Sequence, residues 1–113
     1  MEIQVEKRGD VLVVKPLDKR LDALIASEFK DRVLQCIDEE KVKKVVLDLS
    51  KVEFVDSSGL GAIVSILKHV IREGRLVLCS LQKAVDELMG LTRLYRIFET
   101  AKDVKEALEV IAR

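Results

Sequence analysis

The chain has 113 residues, 49% hydrophobic and 35% charged, and its twenty Lys and Arg balance twenty Asp and Glu. That length suits one domain, able to bury roughly 65% of the surface its unfolded form exposes. The composition excludes disorder, which needs low hydrophobicity with high net charge. The zero net charge speaks against nucleic acid, which calls for a basic face, and against a polybasic membrane anchor.

Taken in chain order, Ile3, Val5 and Lys7 alternate with charged or polar neighbours, the pattern of a half-buried strand. Gly9-Asp10 is a turn signal, and Val11 to Val14 is a second, more buried strand, completing a hairpin. Pro16, the only proline, ends that strand because it has no N–H for the ladder. Asp22 is placed to cap a first helix, in which Ile25, Phe29, Val33, Cys36 and Ile37 recur at helical spacing. Asp38-Glu39-Glu40-Lys41 is its solvated end. Val42 to Leu49, rich in Val and Leu with Asp48 late in the run, suits a central strand covered on both faces. Leu60, Ile63, Val64, Leu67, Val70 and Ile71 form the apolar stripe of a second helix that ends at Gly74. Arg75 to Cys79 is another core strand, and Ala84, Val85, Leu88 and Met89 give a short helix stopped near Gly90. Leu94 to Phe98 is expected as a last strand, and Val104, Ala107, Leu108 and Ile111 as a closing helix. The order β-β-α-β-α-β-α-β-α predicts an α/β domain: a small mixed, mostly parallel sheet of four to five strands with about four helices.

No apolar run approaches the ~20 residues of a membrane span, so direct membrane insertion is not expected. Met1 to Glu6 has neither the basic nor the apolar region of a secretory leader. Cys36 and Cys79 stand in neither a metal nor a redox spacing, and both are expected as small core side chains in a reducing, cytoplasmic setting.

One segment has unusual local chemistry: Val55-Asp56-Ser57-Ser58-Gly59-Leu60-Gly61, between a buried strand and a buried helix. A helix start offers unpaired N–H groups and the positive end of the dipole. Ser57 or Ser58 can cap it, and Gly59 and Gly61 allow close approach of backbone or a partner. A nucleophilic serine would need a base. The only histidine, His69, lies three turns away, roughly 18 Å at ~1.5 Å per residue. A phosphate-binding loop would end in Gly-Lys-Ser/Thr, which is absent. Two readings stay open: an ordinary serine cap, or a serine that is itself the substrate of phosphorylation, gaining ~1.5–2 negative charges. No cofactor and no metal are expected, and no enzymatic activity.

The run from Lys44 to Gly61, KVVLDLSKVEFVDSSGLG, resembles the signature of STAS domains, with further likeness at Arg20-Leu21-Asp22-Ala23, Gly74 to Cys79 and Leu88 to Leu91. The resemblance spans essentially the whole of residues 1–113. It implies a small sheet with helices on one side. It also implies the function of a stand-alone anti-sigma factor antagonist. Such a protein, unphosphorylated, binds an anti-sigma factor that is also a serine kinase and so frees the sigma factor. Phosphorylation breaks the complex and a serine phosphatase restores it. Residue by residue, Ser57 becomes the phosphoacceptor and Asp56 its acidic neighbour, and Ser58 and Gly59 become the helix start. Leu60 and Gly61 become partner surface, and Asp22 a shaping acid in the loop before the first helix. Asp48 becomes a structural acceptor of backbone hydrogen bonds. Lys19 stands where the family usually has glycine, which predicts a changed loop at the partner surface. The free chain is expected to be a monomer. The alternative is an unphosphorylated adaptor subunit of a stressosome-like or lipid-transport complex.

Overall fold

The computed structural model describes residues 1–113. The elements run β1 (Ile3–Arg8), β2 (Val11–Pro16), β3 (Arg20–Leu21), α1 (Ala26–Glu40), β4 (Lys44–Asp48), β5 (Phe54–Val55), α2 (Ser57–Val70), β6 (Arg75–Cys79), α3 (Lys83–Leu91), β7 (Glu99–Ala101) and α4 (Val104–Ile111). A 3₁₀ turn, Leu94–Arg96, joins α3 to β7. β1 and β2 pair antiparallel with Arg8 opposite Val11, and the turn between them holds Gly9 at φ +63°, which glycine adopts without steric cost. β2, β4, β6 and β7 are parallel, giving a mixed five-stranded sheet in the order β1-β2-β4-β6-β7. β3 and β5 form a separate two-stranded parallel pair, which the hydrophobic pattern did not announce because two residues carry no periodicity.

Alternation along the strands divides the core into two layers. Leu12, Val14, Val45, Leu47, Leu76 and Leu78 pack against Phe29 and Val33 of α1, Ile63 and Ile66 of α2, and Val85 and Met89 of α3. Val13, Val46, Val77 and Cys79 face the other way and meet Ala107 and Ile111 of α4. Helices therefore cover both faces, three on one and α4 alone on the other. The expectation of helices on one side is corrected, because the central strands are apolar on both faces and each face needs a cover. Arg75 pins α4 in place. Its guanidinium pairs with the Glu99 carboxylate and donates to the carbonyls of Val110 at 3.2 Å and Arg113 at 3.1 Å, at the C-terminal end of that helix.

The expected strand Leu94–Phe98 is also corrected. Ile97 and Phe98 both donate their N–H groups to the Leu94 carbonyl at 3.0 Å, so local turn bonds occupy the backbone there, and pairing with β6 begins only at Glu99. α2 ends at Val70, and Gly74, as expected, lies just past it. A Cβ on Gly74 would stand 1.6 Å from the Lys43 carbonyl oxygen, so only glycine lets β6 start beside β4. Both cysteines serve as packing groups. Cys79 is fully buried and burial pushes its thiol up to about 11, while Cys36 is half-buried with its thiol raised chiefly by the same desolvation.

Candidate functional site

The β3–β5 pair brings the two segments of interest together. Glu53 and Phe54 donate their N–H groups to the Lys19 carbonyl at 2.7 and 3.1 Å, and Asp56 donates its own to the Leu21 carbonyl at 3.2 Å. Lys19 contributes only backbone here. Its side chain is exposed and its φ is not positive, so lysine sits at this position without backbone strain.

Asp56, not Ser57 or Ser58, caps α2. Its backbone is extended (φ −98°, ψ −174°) and its Oδ1 accepts from the Gly59 N–H at 2.9 Å. A carboxylate caps better than a hydroxyl here because its second oxygen remains free for another donor. That oxygen, Oδ2, accepts from the Ala23 N–H at 3.0 Å, thirty-three residues away in sequence. The hydrogen bond from Gly59 is the main reason the Asp56 carboxyl lies below its ordinary value. The Ala23 bond and the nearby Arg20 charge act in the same direction, against partial desolvation. Helix α2 begins at Ser57, one residue earlier than the Ser58–Gly59 start. Ser57 and Ser58 are both exposed in the first turn, Leu60 is half-buried, and Gly61 is exposed.

The two glycines differ. A Cβ on Gly59 would come within 2.1 Å of the Leu21 carbonyl oxygen and 2.9 Å of Val55 Cγ1, so α2 reaches β3 only with glycine there. A Cβ on Gly61 would meet nothing within 4 Å. The fold itself does not require glycine at that position.

Asp22 sits beside this site but does not cap α1. Ile25 occupies the cap position with no side-chain bond, and α1 begins at Ala26. Asp22 Oδ1 instead accepts from the Leu24 N–H at 3.1 Å, and its Oδ2 accepts from Arg20 Nε at 3.3 Å. Its carbonyl accepts from Ile25 and Ala26, so the loop closes as a tight turn ahead of the helix. Arg20 in turn lies over the Phe54 ring, 4.1 Å from its centroid. Asp48, the one buried charged residue, accepts from the Ser50 N–H at 3.0 Å, as expected of a structural acid. His69 lies at the other end of α2, with Nε2 3.3 Å from Asp38 Oδ1 on α1. Sequence reasoning missed Ala23, Leu24 and the Leu21 carbonyl, because two of the three act through backbone atoms. Leu24 could have been noticed as an apolar residue off the Ile25–Phe29–Val33 stripe.

The profile of the STAS domain matches residues 2–107. The chain belongs to the STAS family. A candidate anti-sigma factor antagonist of Thermotoga maritima is 35% identical over 105 residues, which is 92% of either chain. The anti-sigma F factor antagonist of Paenibacillus polymyxa is 26% identical over 116 residues, covering 99% of this chain and 98% of that one. A crystal structure of the Thermotoga maritima antagonist superimposes with a TM-score of 0.90 at 32% identity, over 98% of this chain and 95% of the other. The STAS assignment thus extends along nearly all of the chain, and the mixed five-stranded sheet with four helices is the architecture of its neighbours. No helix is long and apolar enough to cross a membrane.

Proposed function

We propose that this STAS domain is an anti-sigma factor antagonist whose binding is switched by one phosphate on Ser57. In the unphosphorylated form it docks an anti-sigma factor that is also a serine kinase, and so releases a sigma factor in the cytoplasm. The observation that carries the proposal is the state of Asp56. Both of its carboxylate oxygens are occupied by backbone N–H groups, from Gly59 and Ala23. His69 is engaged with Asp38 at the far end of α2. Ser57 is exposed, while Asp56, Asp22 and His69 each already hold other partners, which suits a substrate better than a nucleophile of its own.

In the transfer, Ser57 Oγ attacks the γ-phosphorus of ATP held by the kinase. The bond from that phosphorus to the β–γ bridging oxygen breaks, ADP leaves, and the hydroxyl proton passes to a base of the kinase. The helix dipole and the first-turn N–H groups favour the new charge, while Asp56 opposes it. The fold survives, but the docking face gains a dianion. Desolvating it against a partner would cost about 2–4 kcal/mol, or ~30–1000-fold in affinity. A serine phosphatase reverses the change, and the free chain is a monomer.

The test is incubation with the anti-sigma factor kinases of the source organism and Mg·ATP, followed by mapping of the phosphate by mass spectrometry. Phosphate on Ser57 is expected, with constitutive binding by Ser57→Ala and weak binding by Ser57→Asp. Phosphate confined to Ser58, or none with any of these kinases, overturns the assignment. The second result points to the unphosphorylated adaptor.

A further inference from the structure

The loop between β3 and α1 displays Leu24, the most exposed large apolar side chain of the molecule at 91%. A single exposed leucine is ordinary surface, but this one is held rigidly. Its own N–H donates to Asp22 Oδ1 at 3.1 Å, and the following two N–H groups donate to the Asp22 carbonyl at 3.1 and 2.9 Å. The preceding residue, Ala23, is bonded to Asp56 Oδ2, and the other oxygen of that carboxylate caps the helix on which Ser57 lies. Leu24 therefore stands at a fixed place relative to Ser57. Its backbone freedom is already lost before a partner arrives, the condition under which one apolar anchor adds most to binding. The neighbouring Phe54 cannot take this role as freely, since the Arg20 guanidinium lies over its ring. Ala23, which precedes Leu24, and Ser58, which follows Ser57, line one surface depression, so a macromolecule that brings a reagent to Ser57 Oγ comes up against the Leu24 loop.

We infer that Leu24 is the anchor by which the kinase grips this chain, its side chain seated in an apolar socket of that protein. The inference rests on the Ser57 proposal above. An anchor acts on substrate and transition state alike, so its loss raises KM and leaves kcat unchanged. The test is steady-state phosphorylation by the anti-sigma factor kinases of the source organism with Mg·ATP. Wild type is compared with Leu24→Asp, Leu24→Met and Ile71→Asp. Ile71 is also exposed, but it caps the opposite end of α2, roughly 21 Å from Ser57 at ~1.5 Å per residue.

Leu24→Asp is expected to raise KM for the protein substrate about 30-fold with kcat within about twofold. Leu24→Met is expected to restore most of the binding and Ile71→Asp to change nothing. Unshifted thermal unfolding of Leu24→Asp is expected, since the side chain packs on nothing. Equal kcat/KM for Leu24→Asp and wild type, or a loss confined to kcat, overturns the anchor and leaves the Ser57 proposal standing. Absence of phosphate on wild type overturns both.

Discussion

Two helices of this molecule begin in the same way and are used differently. α4 starts at Asp103, whose Oδ1 accepts from the Glu106 N–H at 2.8 Å, while Glu106 Oε1 accepts from the Lys102 N–H at 3.0 Å. The arrangement is local and closed, a carboxylate version of the capping box. α2 also starts at an aspartate, but the third helical residue is Gly59, and the first turn holds no acid. Nothing local reciprocates, and the second oxygen of Asp56 reaches the Ala23 loop instead. At α4 the cap serves only its own helix. At α2 it ties two segments together, and the acid-free first turn exposes the two serines, Ser57 and Ser58.

The strongest way to break this comparison is Gly59→Ala. The added Cβ falls on the Leu21 carbonyl, which backbone must vacate, and a loss of about 3 kcal/mol is expected by urea unfolding. Next come the two caps themselves. Asp103→Ala removes a local cap and is expected to cost about 1 kcal/mol. Asp56→Ala removes a cap and a long-range tether, so its Tm is expected to fall further, with faster amide exchange at Ala23. Equal Tm losses and an unchanged Ala23 would show that the tether adds nothing.

Acid sharpens the difference. The Asp56 carboxyl lies below its ordinary value, first because of the Gly59 hydrogen bond, so the folded state binds its proton less readily than the unfolded chain. Its contribution is complete above the unfolded value of about 3.9 and is lost as pH falls through the lower folded value. Asp56→Asn is therefore expected to lose less stability than wild type below about pH 4, measured as urea midpoints. The smallest effect on the fold is expected at Gly61→Ala. No atom lies near the added methyl, and alanine favours a helix over glycine, so stability rises by about 0.5–1 kcal/mol. Weaker capture of the kinase by that stabilised variant would identify Gly61 as partner surface. Unchanged capture would remove it from the site.

Much of this was legible in the residues. The Phe29–Val33–Ile37 and Ile63–Leu67–Val70 stripes announce α1 and α2, and the run through Val45, Val46 and Leu47, apolar on both faces, announces a covered central strand. The Asp-Ser-Ser-Gly-Leu-Gly string marked the candidate site at the start of α2. Other features did not follow from the pattern. Leu94, Tyr95, Ile97 and Phe98 look like a strand by composition, yet turn bonds to the Leu94 carbonyl take precedence. Asp22 has the chemistry of a cap and the position of one, but the turn it closes precedes the helix by several residues.

The sequence alone determined the order in which the main-sheet strands alternate with the four helices, the parallel core, the identity of the family and the serine at the start of α2. These rest on periodicity and on a contiguous motif, both of which survive without knowledge of what touches what. Only the tertiary structure decided that α4 covers the second face, that Asp56 rather than a serine is the cap, and that the same carboxylate holds the loop bearing Leu24. It also separated a glycine the fold needs from one it does not. Each of these depends on a contact between residues distant in the chain, where one N–H or one missing Cβ meets an atom that no local pattern encodes.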